Sequence, residues 1–186
     1  MLEARAEIIK NRAVVANEWA LLRLDEDETA DSVTVPNGKV IVPLAVWQAQ
    51  RAVLEARLPE IGVWLASDAR PEDLAGDVEK LAVIAVDFPK FTDGRGNSIA
   101  YNLRARLGYK GELRAIGDVL RDQLFAMQRV GFDAFATRPD RSIHDALKGL
   151  TVFSETYQAS WDEKSPLFRR HQRDVQRPDV DLAAGI

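Results

Sequence analysis

The sequence contains no cysteine and only two histidines among its 186 residues. The absence of cysteine excludes disulfide bonds, thiolate catalysis, and zinc sites or iron–sulfur clusters held by cysteine. His144 and His171 lie outside the central segment and form no metal-spaced cluster, so a zinc site or a histidine-centred acid–base site is not expected. We therefore expect no metal and no resident cofactor, and any redox role needs a cofactor or partner supplied from outside.

The sequence also lacks long apolar runs and a large excess of one charge. No stretch approaches the roughly 20 apolar residues of a membrane span, and the first residues lack a signal-peptide pattern. The 25 basic and 29 acidic residues give a net charge of −4 and a pI near 5.3, which provides no general attraction for nucleic acid or anionic lipid. These features favour a cytoplasmic protein without membrane or nucleic-acid partners.

The central part of the chain alternates between short apolar runs and longer amphipathic segments. This alternation predicts an α/β fold in which four consecutive βα units form a parallel sheet, because each helix returns the chain to the same side of the sheet. Four such units make either half of a TIM-like barrel or an open sheet. The predicted strands cover residues 61–65, 81–86, 112–116 and 134–136, and the predicted helices cover 71–80, 98–107, 118–130 and 142–150.

The two ends of the chain have a different character. Residues 1–42 predict a small β appendage with a hairpin that turns at Asn11, and Pro43 begins a helix over residues 44–58. The βα domain then extends over residues 43–165, and the basic segment 166–186 predicts a flexible tail. A stripe of Phe153, Tyr157 and Trp161 predicts one further helix before that tail.

The most informative segment is the loop of residues 87–97, which follows the second predicted strand. In α/β proteins the carboxyl ends of the strands carry the functional site, so Asp87 at the strand end and Asp118 after the third strand are candidate catalytic carboxylates. The apolar run before Asp87 favours a raised pKa, as a general base needs. The alternative is a structural carboxylate that caps loop amides or pairs with an arginine.

Candidate ligand-binding residues follow in the same loop. Lys90 and Arg95 bring two cations to the turn Asp93-Gly94-Arg95-Gly96, where exposed amides and an arginine fork suit a small phosphate- or sulfur-oxyanion. A plain tight turn is the alternative. Arg114 lies within the third strand, where a buried guanidinium needs a carboxylate such as Asp87 or Asp118, or a ligand.

These segments carry a family resemblance. The runs at residues 87–96 and 111–123, with the shorter motifs at 40–44 and 131–135, closely resemble an uncharacterised bacterial family, domain of unknown function 934. The likeness covers roughly residues 5–160. Members are described as probable oxidoreductases involved in sulfite reduction, and their genes commonly lie beside assimilatory sulfite reductase genes.

The resemblance implies a pathway and leaves the molecular activity open. No segment fits siroheme, an iron–sulfur cluster or a nicotinamide by a recognisable fingerprint, so we expect an accessory factor that engages sulfite reductase, its electron donor or a small oxyanion. The alternative is a stand-alone enzyme for a small anionic substrate, with Asp87 as base and Lys90, Arg95 and Arg114 stabilising the anion. A homodimer that completes a barrel or covers open sheet edges is expected in either case.

Overall fold

The computed structural model describes residues 1–170, and residues 171–186 of the predicted tail lie outside this range. The described chain is a mixed α/β structure built on one curled, half-barrel sheet of nine strands. The strands are β1 Leu2–Glu3, β2 Glu7–Lys10, β3 Ala13–Ala16, β4 Ala20–Leu22, β5 Val40–Pro43, β6 Ile61–Leu65, β7 Val83–Phe88, β8 Glu112–Gly117 and β9 Ala134–Phe135.

Six α-helices accompany these strands within residues 1–170. They are α1 Leu44–Ala49, α2 Arg51–Leu54, α3 Arg95–Ala105, α4 Leu124–Val130, α5 Ile143–Leu147 and α6 Leu167–Arg170. Short 3₁₀ helices lie at Glu55–Arg57, Pro71–Leu74, Arg121–Gln123 and Lys148–Thr151. None of the helices in this part of the chain is long and apolar enough to cross a membrane.

The sheet order is β1-β4-β5-β6-β7-β8-β9-β2-β3. The neighbours from β4 to β9 are parallel, and the outer pairs β1–β4, β9–β2 and β2–β3 are antiparallel. The N-terminal segment thus supplies strands to both ends of the sheet. The predicted hairpin is confirmed, with β2 and β3 joined by Asn11 and Arg12, both with positive φ.

The same hairpin continues towards the other end of the sheet. Three residues separate β1 from β2, and three separate β3 from β4. Ala6 accepts a hydrogen bond from the Asn17 amide at 2.9 Å, and Glu3 then pairs with Leu21. The hairpin therefore lies across the opening of the curl and brings its polar side chains onto the inner face. The division of the chain into an appendage of residues 1–42 and a domain of residues 43–165 stays a prediction.

Each face of the sheet has its own apolar core. The outer face packs under the helices through residues such as Ile84, Val86 and Leu113. The inner face is lined by a smaller cluster, which comprises Ile8, Ile41, Val83, Ala85, Ile116 and Ala136. Because side chains alternate along a strand, Asp87 and Arg114 also belong to this inner face.

Several predicted helices are shorter than the sequence pattern suggested. The helix over 71–80 is only the 3₁₀ turn Pro71–Leu74, since Gly76 weakens the helix and Asp77 turns inward to accept a hydrogen bond from the Trp47 indole at 3.1 Å. The helix over 44–58 is interrupted at Gln50, whose side-chain amide donates to the carbonyls of Ala30 and Val33 at 2.9 and 2.8 Å. Polar contacts with distant segments outcompete helix propensity in both places.

Other boundaries also differ from prediction. The strand predicted at 81–86 is β7 Val83–Phe88, in register with β8 from Glu112 to Gly117. The helix predicted from Asp118 begins with the 3₁₀ turn Arg121–Gln123 and becomes α4 only at Leu124. The predicted helix through Phe153, Tyr157 and Trp161 is wrong. The segment that carries these residues has no regular secondary structure, and it lies between the 3₁₀ helix Lys148–Thr151 and α6.

Candidate functional site

The carboxyl ends of the parallel strands form one edge of the sheet, where the predicted site residues other than Arg114 lie. Phe88 at the end of β7 is paired with Gly117 at the end of β8, so the loops that follow these strands are neighbours. The Asp118 amide donates a hydrogen bond to the Phe88 carbonyl at 2.7 Å and ties the two strand ends together. The topology therefore places the loop after β7 beside Asp118.

Asp87 lies on the inner face and is 8% exposed. Its Oδ1 accepts a hydrogen bond from Nη2 of Arg23 at 2.7 Å, and Nε of Arg23 donates to Glu3 at 2.9 Å. The Arg23 guanidinium also stacks over the Trp64 ring, 5.1 Å from its centroid. Burial alone would lower the pKa of Arg23, but hydrogen bonds from its fork to Asp87 and Glu3 raise it. Asp87 is thus the more buried member of a partly buried ion pair.

Gly117 is required by the close approach of β7. Its φ is +90°, and an added Cβ would lie 2.8 Å from Oδ1 of Asp87 and closer still to the Phe88 carbonyl oxygen. A side chain at this position would therefore collide with the backbone of the neighbouring strand. Glycine keeps the Asp87 carboxylate and the strand end in place.

Arg114 is buried on the same inner face, but its partner is not one of the predicted ones. It pairs with Glu112 at 2.6 Å and donates to Oδ1 of Asn17 at 3.0 Å, and Lys10 also reaches Glu112 at 2.7 Å. The expectation that Asp87 or Asp118 pairs with Arg114 is wrong. In the register, Arg114 is opposite Ala85, whereas Asp87 is opposite Ile116 two residues further along. Asp118 instead binds Arg138.

Asp93 and Arg95 form a closed unit in the loop after β7. Nε and Nη2 of Arg95 donate to the two oxygens of Asp93 at 2.9 and 2.7 Å, and the Arg95 amide donates to Oδ1 at 3.2 Å. Nη2 also donates to the Ser67 hydroxyl at 2.8 Å. Hydrogen bonds from Arg95, and then from Ser67, hold the pKa of Asp93 well below its usual range. The guanidinium predicted to bind an oxyanion therefore binds an internal carboxylate.

Gly96 and Lys90 flank this unit in different environments. Gly96 is buried against the Phe88 ring, where an added Cβ would lie 2.6 Å from Cζ of Phe88, so packing alone requires a glycine. Lys90 is exposed, and within residues 1–170 no carboxylate lies within ion-pair distance of its amine. Lys90 and Arg95 are both exposed, but Arg95 is paired with Asp93, so Lys90 is the cation of this loop without a carboxylate partner in the described part of the chain.

Asp118 organises the tip of the same loop. Its Oδ2 accepts a hydrogen bond from the Phe91 amide at 2.8 Å, and its Oδ1 accepts one from Nη1 of Arg138 at 3.1 Å. Gln123 donates to the Phe91 carbonyl at 3.0 Å, so both backbone groups of Phe91 are held. The Phe91 ring is nevertheless 43% exposed. The loop is fixed through its backbone and presents Phe91 to solvent.

The predicted site residues therefore form three clusters rather than one. The first cluster is the loop with Asp93, Arg95 and Gly96, which Asp118 fixes from the end of β8. The second is Asp87 with its partner on the inner face, and the third is Arg114 with a different partner on the same face. Sequence reasoning missed the N-terminal residues that reach these clusters, which are Glu3, Lys10, Asn17 and Arg23. Charged side chains within an otherwise apolar hairpin were the available signal.

Metal ligation has little support in this geometry. Among residues 1–170, no group of three or more histidine, aspartate or glutamate side chains could hold a metal ion. The carboxylates at the strand ends instead face arginines, as the pairs of Asp87 with Arg23 and Asp118 with Arg138 illustrate. Both of these strand-end carboxylates therefore take part in ion pairs.

Comparison with known proteins identifies a family and no closer relative. A family model described as "Bacterial protein of unknown function (DUF934)" matches residues 62–168, which is more than half of the chain. No curated protein and no solved structure matches the sequence. The matched range contains β7 to β9, β6 except Ile61, the loop after β7 and Asp118. The chain therefore belongs to the bacterial DUF934 family.

Proposed function

We propose that the protein is an accessory factor in assimilatory sulfite reduction, which docks on sulfite reductase or its electron donor through the loop of residues 88–95. The pathway comes from the family resemblance. The docking role is supported by one observation: the loop is fixed by Asp118 and Gln123 while Phe91 and Lys90 face solvent. An aromatic residue beside a cation on a rigid support suits the centre of a protein interface, because little conformational entropy is lost on binding.

A role as a stand-alone enzyme has less support. The two candidate bases, Asp87 and Asp118, each accept a hydrogen bond from an arginine, at 2.7 and 3.1 Å respectively. Each of these hydrogen bonds occupies a carboxylate oxygen that a general base would need to offer to the proton of a substrate. A stand-alone enzyme with Asp87 as its base stays the alternative function. Turnover of a small anionic substrate by the purified protein alone would favour this alternative.

Oxyanion binding by the loop is a second candidate function. The Arg95 fork and the Arg95 amide converge on Asp93, the fork also donates to the Ser67 hydroxyl, and these Arg95 donors would also suit a sulfur oxyanion. An oxyanion would have to displace the Asp93 carboxylate. We therefore rank this role below docking. The expected homodimer stays a prediction.

The docking proposal is tested by growth of a deletion strain. The strain should grow on cysteine but not on sulfate as sulfur source, and the wild-type gene should restore growth on sulfate. The gene that encodes the Phe91→Ala variant should restore growth on sulfate poorly. Tyr101→Ala is the matched control, because Tyr101 on α3 is also 43% exposed but lies outside the loop.

Two outcomes would contradict the proposal. Normal growth of the deletion strain on sulfate would reject the pathway. Equal growth with Phe91→Ala and Tyr101→Ala, at equal protein levels, would reject the loop as the docking surface.

A further inference from the structure

Arg5 is a half-buried cation without a carboxylate partner. It lies between β1 and β2, where its Nη1 donates to the backbone carbonyl of Thr137. Within residues 1–170 no carboxylate oxygen lies within 4.0 Å of its guanidinium nitrogens. A guanidinium has five N–H donors, and a partly desolvated one is stabilised by an anion. The remaining donors of Arg5 are therefore available to a ligand.

The electrostatic environment of Arg5 points the same way. Burial lowers the pKa of the guanidinium, Glu3 opposes this effect, and the nearby positive charge of Arg23 adds to it. Arginine still carries its full charge at neutral pH. The protein thus leaves this charge incompletely balanced, in contrast to Arg23 and Arg114, which each have carboxylate partners.

Arg5 lines a cavity of about 370 Å³ between the hairpin and the loop that follows β9. The cavity wall also contains Thr137, Arg138 and Arg141, with Glu7 as its carboxylate. Thr137, which is only 6% exposed, forms part of this wall. The cavity wall thus combines a buried threonine with several cations.

The three arginines of the cavity differ in availability. Arg138 is neutralised by Asp140 and Asp118. Arg141 is 71% exposed in its side chain and approaches Asp140 only at 3.6 Å. Arg5 from the hairpin and Arg141 from the loop are therefore the cations that can turn towards a bound anion.

We propose that this cavity binds the oxyanion group of a small molecule, with Arg5 and Arg141 as cationic donors and Thr137 as a hydroxyl donor. A phosphoryl or sulfo group suits these donors, because its oxygens accept several charge-assisted hydrogen bonds at once. The volume lies within the range of small-molecule sites and leaves room for an organic part beside the anion. This site is separate from the docking loop and does not depend on the proposed function.

Calorimetric titration of the whole protein with sodium phosphate, sodium sulfate and phenyl phosphate, at constant ionic strength, tests the proposal. Phenyl phosphate should bind more tightly than inorganic phosphate, because its ring occupies the rest of the cavity. Arg5→Gln and Arg141→Gln should each weaken binding roughly tenfold or more, the usual effect of losing a hydrogen bond to a charged group. Glu7→Gln should strengthen binding, because it removes the carboxylate of the cavity wall.

Two controls keep the result interpretable. Arg106→Gln removes an exposed arginine just beyond α3 and should leave the affinity unchanged. Arg141 is so exposed that its replacement should not affect folding, even if Arg5→Gln does. Absence of binding at millimolar ligand, or equal affinity in the wild type and Arg141→Gln, would overturn the site.

Two further outcomes would also decide against the proposal. Equal affinity for inorganic phosphate and phenyl phosphate would reject the small-molecule ligand. Loss of binding in Arg95→Ala but not in Arg5→Gln or Arg141→Gln would place the anion at the loop instead.

Discussion

Replacing Arg23 by alanine should destabilise the protein more than any loss of a surface ion pair. The change leaves Asp87 buried without its guanidinium and removes the contact of Arg23 with the Trp64 ring. Breaking a buried pair by removing one partner costs roughly 3–5 kcal/mol. The side chains of Arg23 and Asp87 are 26% and 12% exposed, so some water reaches the pair. We therefore expect a loss of about 3 kcal/mol, at the lower end of that range.

The measurement is urea unfolding followed by tryptophan fluorescence and circular dichroism. Arg121→Ala is the matched control, because the pair of Arg121 with Asp145 has a similar distance of 3.0 Å but side chains that are about half exposed. The control should lose at most about 1 kcal/mol. In a double-mutant cycle, Arg23→Ala and Asp87→Asn should be strongly non-additive, since each removes the same interaction. Equal losses for Arg23→Ala and Arg121→Ala, or additive effects in the cycle, would refute the view that Asp87 is a structural counter-ion.

Two further predictions concern the loop after β7. Gly96→Ala should lower the free energy of unfolding by roughly 1–3 kcal/mol, because the methyl group overlaps the Phe88 ring, whereas Gly94→Ala, with open space around its Cβ, should change it little. Equal urea midpoints for these two variants would reject the packing explanation. Asp93→Asn should make the free energy of unfolding depend less on pH in the acidic range. The pKa of Asp93 in the folded protein lies below the ordinary 3.8, so the stabilisation by the Asp93 carboxylate is present above pH 3.8 and is lost as the pH falls through the folded pKa. Urea midpoints measured between neutral and strongly acidic pH should therefore fall less in the variant, and parallel curves would contradict the Asp93–Arg95 bond.

The parallel strands could be predicted because their signal is local. The apolar run ending at Asp87 and the run around Arg114 each identify a buried strand, and the turn at Asn11 identifies a hairpin. Helix lengths were less predictable, since Asp77 and Gln50 form hydrogen bonds with distant segments that stop the helices early. Such contacts depend on tertiary structure and leave no periodic pattern in the sequence.

The candidate site was predicted in part for the same reason. The strand-end rule located Asp87, Asp118 and the loop with Arg95. The same rule does not identify the partners of Asp87 and Arg114, because Arg23 and Asn17 reach the inner face only when the hairpin lies across the opening of the sheet. The mates expected for Arg114 were wrong because sheet register, and not proximity in sequence, decides which side chains meet.

An accessory factor and a stand-alone enzyme are expected to differ in whether they need a partner. The protein should act only in the presence of its partner, and its loop of residues 88–95 should be needed for that action while its buried ion pairs serve stability. The exposed Phe91 on a fixed backbone and the arginine-held Asp87 favour this division of roles.

The most direct measurement is sulfide formation from sulfite in extracts of the deletion strain. We expect low sulfide formation in the extract, recovery when the purified wild-type protein is added, and no sulfide from the purified protein with sulfite and an electron donor alone. Recovery should be impaired with Phe91→Ala and normal with Tyr101→Ala. Equal sulfide formation with and without the added protein, or turnover by the protein alone, would contradict the account.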